Sequence, residues 1–134
     1  MIISDTSVIS NLISIDHLFL LKILYQQVII PQAVYNELSR FYPQILDYLQ
    51  QESFSMIQVK SVTDQNKVYQ LQQEAKLDDG ESEAIILALE LKTDLLLIDE
   101  RRGRSVAQRL GIRITGLLGI LLGNLRIFSY KYLL

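Results

Sequence analysis

The chain has 134 residues, of which 49% are hydrophobic, so it can bury one core and is too short for two ordinary domains. It contains no cysteine, which excludes disulfide bonds, thiolate metal ligands and a cysteine nucleophile, and is compatible with the cytoplasm. A formal net charge of −2 argues against binding nucleic acid through overall charge alone.

The first half of the sequence alternates apolar strands with helices. Asp5 follows the first strand as a helix-capping residue, and no basic residue precedes it, which argues against a secretory signal. Pro31 suits the first turn of the helix that follows the second strand. In chain order we predict strand 1–4, helix 8–13, a helix capped by Asp16, strand 28–30, helix 32–39, helix 42–51, a loop around 50–52 and strand 56–59.

The second half continues the alternation after a clear break at residues 77–80. The helix that follows the break carries a predicted core-facing stripe of Ala84, Ile85, Ala88 and Leu89. In chain order we predict helix 64–75, helix 81–91, strand 95–98, a helix ending at Arg109, strand 112–114 and helix 116–125.

The order of these elements predicts the fold class. The unbroken apolar run 95–98 is typical of a central parallel strand that is covered on both faces. Strands that alternate with helices predict an α/β domain with a mostly parallel sheet, and we expect it to occupy residues 1–134. The longest uncharged run, 114–125, is shorter than the roughly 20 residues that span a bilayer, so we predict no membrane association.

Acidic residues lie where these apolar elements meet polar breaks. They are Asp5, Glu37, the pair Glu81 and Glu83, and the pair Asp99 and Glu100. Because the carboxyl ends of parallel strands share one edge of the sheet, we expect Asp5 and Asp99 to meet there. Two such charges about 4 Å apart repel by roughly 4 kcal/mol, so a gathered set requires a divalent cation. Mg²⁺ and Mn²⁺ prefer oxygen ligands, which makes a metal-dependent phosphodiester-cleaving enzyme the leading hypothesis.

Each acidic residue also has a purely structural interpretation. Asp5 and Asp99 could cap the helices that follow them, and Glu37 could be an exposed helical residue. Glu81 and Glu83 fall in the first turn of a helix, where the helix dipole stabilises a carboxylate by roughly 0.3–1 kcal/mol. Their spacing of two puts them on different sides of the helix. We prefer Glu83 for the cleft because it adjoins the core-facing stripe, and Glu81 is the second candidate.

Glu100 can face either the site or solvent. A strip of basic residues follows it. Residues 101–113 contain five arginines and no acidic residue. Such a strip beside an acidic metal site suits a polyanionic substrate, because metal ions neutralise the carboxylates and arginines contact the flanking phosphates. Arg101, Arg102 and Arg104 are therefore candidates for nucleic-acid contact. The structural alternative is a solvated helix face.

These motifs resemble, in order and spacing, the PIN-domain family. The segments that carry the resemblance are Asp5-Thr-Ser, Pro31-Gln-Ala-Val-Tyr-Asn-Glu37-Leu, Gly80-Glu-Ser-Glu-Ala-Ile85 and Leu96-Leu-Ile-Asp99-Glu-Arg-Arg-Gly-Arg104. The chain looks closest to a prokaryotic branch related to VapC-type toxins. This resemblance implies a three-layer α/β/α domain and Mg²⁺- or Mn²⁺-dependent endoribonuclease activity. Toxin members of the family are typically paired with a small antitoxin and often form homodimers.

The resemblance also implies roles for individual residues. Carried over by position, the catalytic acids are Asp5, Glu37, Glu83 and Asp99, and all of these except Glu37 are predicted metal ligands. Ser7 is expected to place its hydroxyl group near the metal. The chain departs from the family pattern in having Glu83 where many toxins have aspartate, and in the alignment of the fourth acid. The tail 128–134 is short for this branch, so we expect a shortened C-terminus.

Two other functions are consistent with parts of the pattern. A PIN-fold module that binds RNA or protein without catalysis would explain the shifted fourth acid and the short tail. A receiver-like phosphoacceptor domain also places aspartates at strand ends with Mg²⁺, but it predicts a lysine after the last strand. Residues 112–116 contain no lysine, so this alternative ranks last.

Overall fold

The computed structural model describes residues 1–45 and 56–132, with side chains as far as residue 125. Most of the predicted helix 42–51 and the predicted loop around 50–52 lie outside the described residues. The strands are β1 (Ile2–Ser4), β2 (Val28–Pro31), β3 (Ile57–Lys60), β4 (Leu95–Leu97) and β5 (Ile114–Thr115). The helices are α1 (Thr6–Ser14), α2 (Leu20–Tyr25), α3 (Gln32–Phe41), α4 (Gln65–Ala75), α5 (Asp79–Leu91), α6 (Arg101–Arg109) and α7 (Leu117–Tyr132).

The strands form one parallel sheet in the order β3-β2-β1-β4-β5. The central strand β1 pairs with β2 through Ile3 and Ile29, and with β4 through Ile3 and Leu96. Going from β1, the chain builds outward on one side through β2 and β3, and later on the other side through β4 and β5. The strand order therefore reverses between β1 and β4, which is where open α/β sheets form their ligand crevice.

Helices cover both faces of the sheet, because side chains of successive strand residues point to opposite faces. One hydrophobic cluster contains Ile3 and Leu96 with buried residues of α4, α5 and α6. The other contains Ile30 and Leu97 with buried residues of α1, α2, α3 and α7. This arrangement confirms the predicted three-layer α/β/α fold with its parallel sheet.

One predicted helix boundary is wrong. Asp16 does not cap a helix, because α2 begins only at Leu20. Asp16 instead adopts a left-handed backbone with φ of 57°. Its amide donates to Ile13 O at 3.0 Å, and the next amide, of His17, donates to Leu12 O at 2.8 Å. These two bonds form a Schellman motif, so Asp16 belongs to the end of α1.

The predicted core-facing stripe of α5 is incomplete. Ala84, Ile85 and Ala88 are buried as predicted, but Leu89 is 41% exposed. Ile86 and Leu87, which the stripe omits, are buried, because the sheet, α3 and α4 all pack around this helix. Sequence periodicity predicts one apolar face, whereas a helix packed on several sides buries most of its circumference.

Among the described residues, no helix is both long enough and apolar enough to cross a membrane.

Candidate acidic active site

A cleft of about 280 Å³ opens at the carboxyl ends of β1 and β4. Asp5 directly follows β1 and Asp99 follows β4 after one residue, and the Asp5 amide donates to Leu97 O at 3.0 Å. Residues of α1, α3 and α5 supply the other walls of the cleft. Its acidic lining residues are Asp5, Glu37, Asp78, Glu81, Asp99 and Glu100. The cleft thus lies at the point where the strand order reverses, as expected for a ligand site of an α/β sheet.

Asp5 forms the buried floor of this cleft, with only 1% of its surface exposed. The Ser7 hydroxyl donates to both Asp5 oxygens, at 3.0 and 2.9 Å, and the Val8 amide donates to Oδ1 at 3.2 Å. Burial raises the pKa of Asp5 from 3.8 to about 7, against the lowering effect of these hydrogen bonds. Asp5 is therefore a helix cap and a cleft residue at once.

Glu81 approaches the same floor from the first turn of α5. Asp78 caps this helix by accepting from the Glu81 amide at 2.8 Å. Only 7% of Glu81 is exposed, and its Oε1 atom has no hydrogen-bond partner among the described residues. Burial, contact with the Glu100 carboxyl group and neighbouring negative charges raise the pKa of Glu81 well above its usual value. A buried carboxyl oxygen without a hydrogen-bond partner is costly in the absence of a ligand.

Asp99 joins two helices across the mouth of the cleft. Its Oδ2 accepts from the Asn11 side chain of α1 at 3.0 Å, and its Oδ1 accepts from the Leu117 amide of α7 at 2.7 Å. It therefore caps α7 and does not cap the following helix α6. Glu100 occupies the N-cap position of α6 without a side-chain capping bond.

Glu37 reaches the cleft from α3, as predicted. Its Oε2 accepts from the Thr6 hydroxyl at 3.0 Å. Gly80 allows this approach, since a Cβ at that position would lie 3.3 Å from Glu37 Oε2 and 3.0 Å from Thr6 Oγ1. The short residue at the start of α5 thus lets α3 and α1 close around the cleft.

Glu83 does not line the acidic cleft, contrary to its predicted orientation. Its Oε1 accepts from the Ala33 amide at 3.2 Å, in the first turn of α3. Residues two apart on a helix point about 200° away from each other, so only one of Glu81 and Glu83 can face the cleft. The preference for Glu83 relied on the apolar stripe of α5, and that stripe does not mark a single buried face. The structure brings Glu81 to the cleft instead.

The three predicted nucleic-acid contacts differ in their surroundings. Arg101 and Arg102 are exposed, and the Arg102 guanidinium donates to Lys76 O at 3.1 Å. Together with Arg109 they line a shallow groove of about 550 Å³ beside Glu74. Arg104 is half-buried and donates to Ile98 O at 2.9 Å, so it supports the end of β4 from behind the cleft.

Four residues of the cleft, Ser10 among them, were not among the predicted site residues. Asp78, Thr6 and Asn11 line it, and each contacts or orients one of the acids. Asp78 could have been found, because it precedes the helix in the turn sequence Leu77-Asp-Asp-Gly80. No local pattern marks Asn11, whose contact with Asp99 joins residues 88 positions apart.

The donor set of the cleft fits a hard divalent cation. Among the described residues, no group of three carboxylates is already arranged around one point as a metal site. However, Glu81 Oε1 is buried without a partner, and Asp5 lies beside the charges of Asp99 and Asp78. Mg²⁺ or Mn²⁺ would compensate both costs, because each ion prefers oxygen ligands and Mg²⁺ needs only one or two direct carboxylates.

The fold and the cleft together define an α/β protein that has a parallel sheet with carboxylates gathered at its switch point. A family model described as PIN domain matches residues 1–126. The chain therefore belongs to the PIN-domain family, whose members are commonly nucleases. A search among curated proteins gives no match.

Proposed function

We propose that this protein is a Mg²⁺- or Mn²⁺-dependent endoribonuclease. The observation that carries the proposal is the meeting of Asp5, Glu81 and Asp99 at the switch point of the sheet, with Glu81 Oε1 buried and unpartnered. Outside a metal site, three carboxylates in one small cleft would repel one another, and the hydrogen bonds to Asp5 and Asp99 leave Glu81 Oε1 without compensation. PIN domains are commonly nucleases, which supports cleavage of a nucleic-acid backbone.

The residues of the chain divide into three roles. Asp5, Glu81 and Asp99 would hold the metal, and we prefer Glu81 over Glu83 because only Glu81 lines the cleft. A bound divalent ion supplies charge neutralisation and a more acidic water molecule. Ser7 and Val8 orient the metal-binding carboxylate of Asp5, and Asn11 orients that of Asp99, through the hydrogen bonds described above.

The acids at the mouth of the cleft and the arginines of α6 would contact the water and the RNA. Hydrolysis adds a water oxygen to phosphorus and breaks the bond to a ribose oxygen, which takes up a proton. Glu37 and Glu100 line the mouth of the cleft, where they can accept hydrogen bonds from the attacking water. Arg101 and Arg102 are exposed on α6, which starts directly after Glu100, so they can bind flanking phosphates. Arg104 contributes by holding the carbonyl group of Ile98.

The test compares two aspartate substitutions. Wild-type protein should cleave single-stranded RNA with Mn²⁺ and lose activity in chelator. Asp5→Asn keeps the capping bond to Val8 and should lower kcat/KM by roughly a hundredfold or more, the scale of losing a key electrostatic contact. Asp16→Asn is the matched control, because Asp16 is exposed and asparagine tolerates its left-handed backbone. Cleavage that survives Asp5→Asn or chelator would refute the proposal.

The resemblance to VapC-type toxins suggests partners. We propose that the protein forms a homodimer and pairs with a small antitoxin protein that restrains its action on cellular RNA. Expression of the wild type should then inhibit growth, and expression of Asp5→Asn should not. Equal toxicity of the two would contradict a toxin role, while analytical ultracentrifugation of purified protein tests the dimer separately.

A further inference from the structure

A second cleft adjoins the acidic one along α3. It has a volume of about 560 Å³ and is lined by polar and aromatic side chains, among them Gln32, Asn36, Arg40, Phe41 and Glu83. Glu37 and Asp78 line both clefts, so the two form one continuous surface. Neither the proposed metal site nor the arginines of α6 account for this second cleft.

Phe41 is an unusual feature of this surface. As a large apolar side chain it is 64% exposed, and the Arg40 guanidinium lies 5.6 Å from its ring centroid. Phe41 follows Glu37 by one turn of α3, so both lie on the same side of the helix, about 6 Å apart along its axis. An exposed aromatic ring at that distance from a cleavage site suits the stacking of a neighbouring base.

Four of the seven polar side chains that line the second cleft are carboxylates, which accept hydrogen bonds when ionised, while Asn36 and Arg40 add donors. Gln32 Nε2 donates to Asn36 Oδ1 at 2.9 Å, which leaves Gln32 Oε1 free to accept. Glu83 uses Oε1 for the Ala33 amide, and an ionised carboxylate has further acceptor positions on its second oxygen. Glu37 likewise receives the Thr6 hydroxyl on Oε2 and keeps Oε1.

The carboxylates of the second cleft favour one base. Guanine presents two adjacent donors on its Watson–Crick edge, N1–H and the N2 amino group, which match the two oxygens of a carboxylate. Uracil places carbonyl oxygens on both sides of its single N–H, and these would face the carboxylates. Adenine and cytosine each pair one amino group with ring acceptors. Of the four bases, guanine therefore places the fewest of its own acceptor atoms against the carboxylate oxygens of the cleft.

We propose that the second cleft is a base-binding subsite that stacks guanine on Phe41 and reads its donor edge with Glu83. This inference rests on the proposed ribonuclease function and names the substrate feature that the enzyme prefers: a guanosine next to the cleaved bond. Arg40 lies over one face of the ring, so the base would stack on the other face, and the guanidinium is available to the phosphate of the same nucleotide.

The first experiment measures binding without cleavage. The chain contains no tryptophan, so Phe41→Trp introduces a single reporter at the subsite. In chelator, titration with GMP should quench this fluorescence in a saturable manner, at lower concentration than AMP, CMP or UMP. Tyr69→Trp is the matched control, because Tyr69 is 63% exposed on α4 and does not line the cleft. Quenching that is equal for all four nucleotides, or equal at both positions, would overturn the inference.

The second experiment follows cleavage of RNA with a single guanosine in a uridine background. Wild-type protein should cut next to the guanosine. Phe41→Ala should lower kcat/KM by roughly tenfold to a hundredfold, as expected for one lost stacking contact, with an unchanged Mn²⁺ dependence. Glu83→Gln should reduce the preference for guanosine over adenosine.

The two experiments separate this inference from the proposed function. Saturable, guanine-selective quenching without any RNA cleavage would sink the ribonuclease proposal and leave the subsite standing. Metal-dependent cleavage that has no base preference and is unchanged in Phe41→Ala would support the ribonuclease proposal and refute the subsite. Circular dichroism of each variant verifies the fold, which substitution of an exposed ring should preserve.

Discussion

Asp5 and Asp99 show how one carboxylate can serve the backbone and a ligand site together. Asp5 accepts the Val8 amide that starts α1, and Asp99 accepts the Leu117 amide that starts α7. A helix cap uses one side of a carboxylate group, and the remaining lone pairs stay available for a cation. From sequence alone the structural interpretation and the functional one are alternatives, but these residues satisfy the geometry of both.

Glu81 and Glu83 mark the limit of sequence reasoning at the residue scale. Glu81 lies in the first turn of α5 and Glu83 follows it by two residues, so the sequence shows that only one can face the cleft. The choice depends on how α5 is rotated against the sheet, which is set by packing with α3 and α4 from distant parts of the chain. No local pattern contains that information.

The glutamate pair allows a direct test by substitution. Glu81→Gln should weaken Mn²⁺ binding by roughly tenfold or more, because it removes a charge from the cleft floor. Glu83→Gln should leave Mn²⁺ affinity close to the wild-type value, since its carboxylate lies on the α3 side of the helix. Isothermal titration calorimetry of the two proteins measures this difference. The opposite ranking would restore Glu83 as the metal ligand.

At the element scale, the N-terminus of α7 packs tightly over Asp99. Gly116 precedes this helix, and a Cβ at that position would overlap the Asp99 carboxylate and lie 2.8 Å from the Arg104 guanidinium. The glycine thus permits the close approach that lets the Leu117 amide reach Asp99. The local sequence around Gly116 does not show which acid it approaches, because Asp99 comes from the other end of α6 and β5.

We predict that Gly116→Ala disturbs the site more than the fold. The new methyl group should displace the Asp99 carboxylate, so that Mn²⁺ affinity and RNA cleavage both fall by roughly tenfold or more. Gly123→Ala, inside α7, is the control, because its Cβ would meet Leu24 at an ordinary 3.6 Å. It should raise the free energy of unfolding by up to about 1 kcal/mol through helix propensity. Equal metal affinity in both variants would contradict this account of Gly116.

Most elements could be predicted because their own residues determine them. The apolar runs of β1, β2 and β4 and the turn before α5 lie within a few residues of the predicted positions. The exceptions depend on neighbours: α2 starts late because Asp16 completes the end of α1, and Leu89 of α5 is exposed despite its spacing. Local sequence thus specifies the type of each element better than its ends or its rotation.

At the scale of the whole molecule, the acidic cleft joins the two halves of the sheet. The β1 half supplies Asp5, and the β4 half supplies Asp99 and the adjoining Glu100. The parallel alternation of strands and helices was enough to place Asp5 and Asp99 at one edge. Burial of these charges has a cost that folding must offset, and a cation between the two halves would remove it.

This cost predicts the pH dependence of stability for metal-free protein. Asp5 titrates near 3.8 in an unfolded chain and about 7 in the folded protein. Between these values the folded state holds a proton that the unfolded state has released, so this group lowers the free energy of unfolding as pH rises. The slope is about 1.4 kcal/mol per pH unit for one such proton. Below pH 3.8 both states are protonated, and above pH 7 the loss is complete.

Comparison with Asp5→Asn isolates the contribution of this residue, because the other titrating groups are common to both proteins. In chelator, thermal unfolding should show equal stability near pH 4 and a variant that becomes progressively more stable than wild type up to pH 7. Mn²⁺ at pH 7.5 should then remove more than half of this difference, since a hundredfold excess over Kd adds about 2.7 kcal/mol to the protein that binds it. Parallel pH profiles without metal would show that Asp5 is ionised in the empty cleft, and the cation would then not be needed to offset its burial.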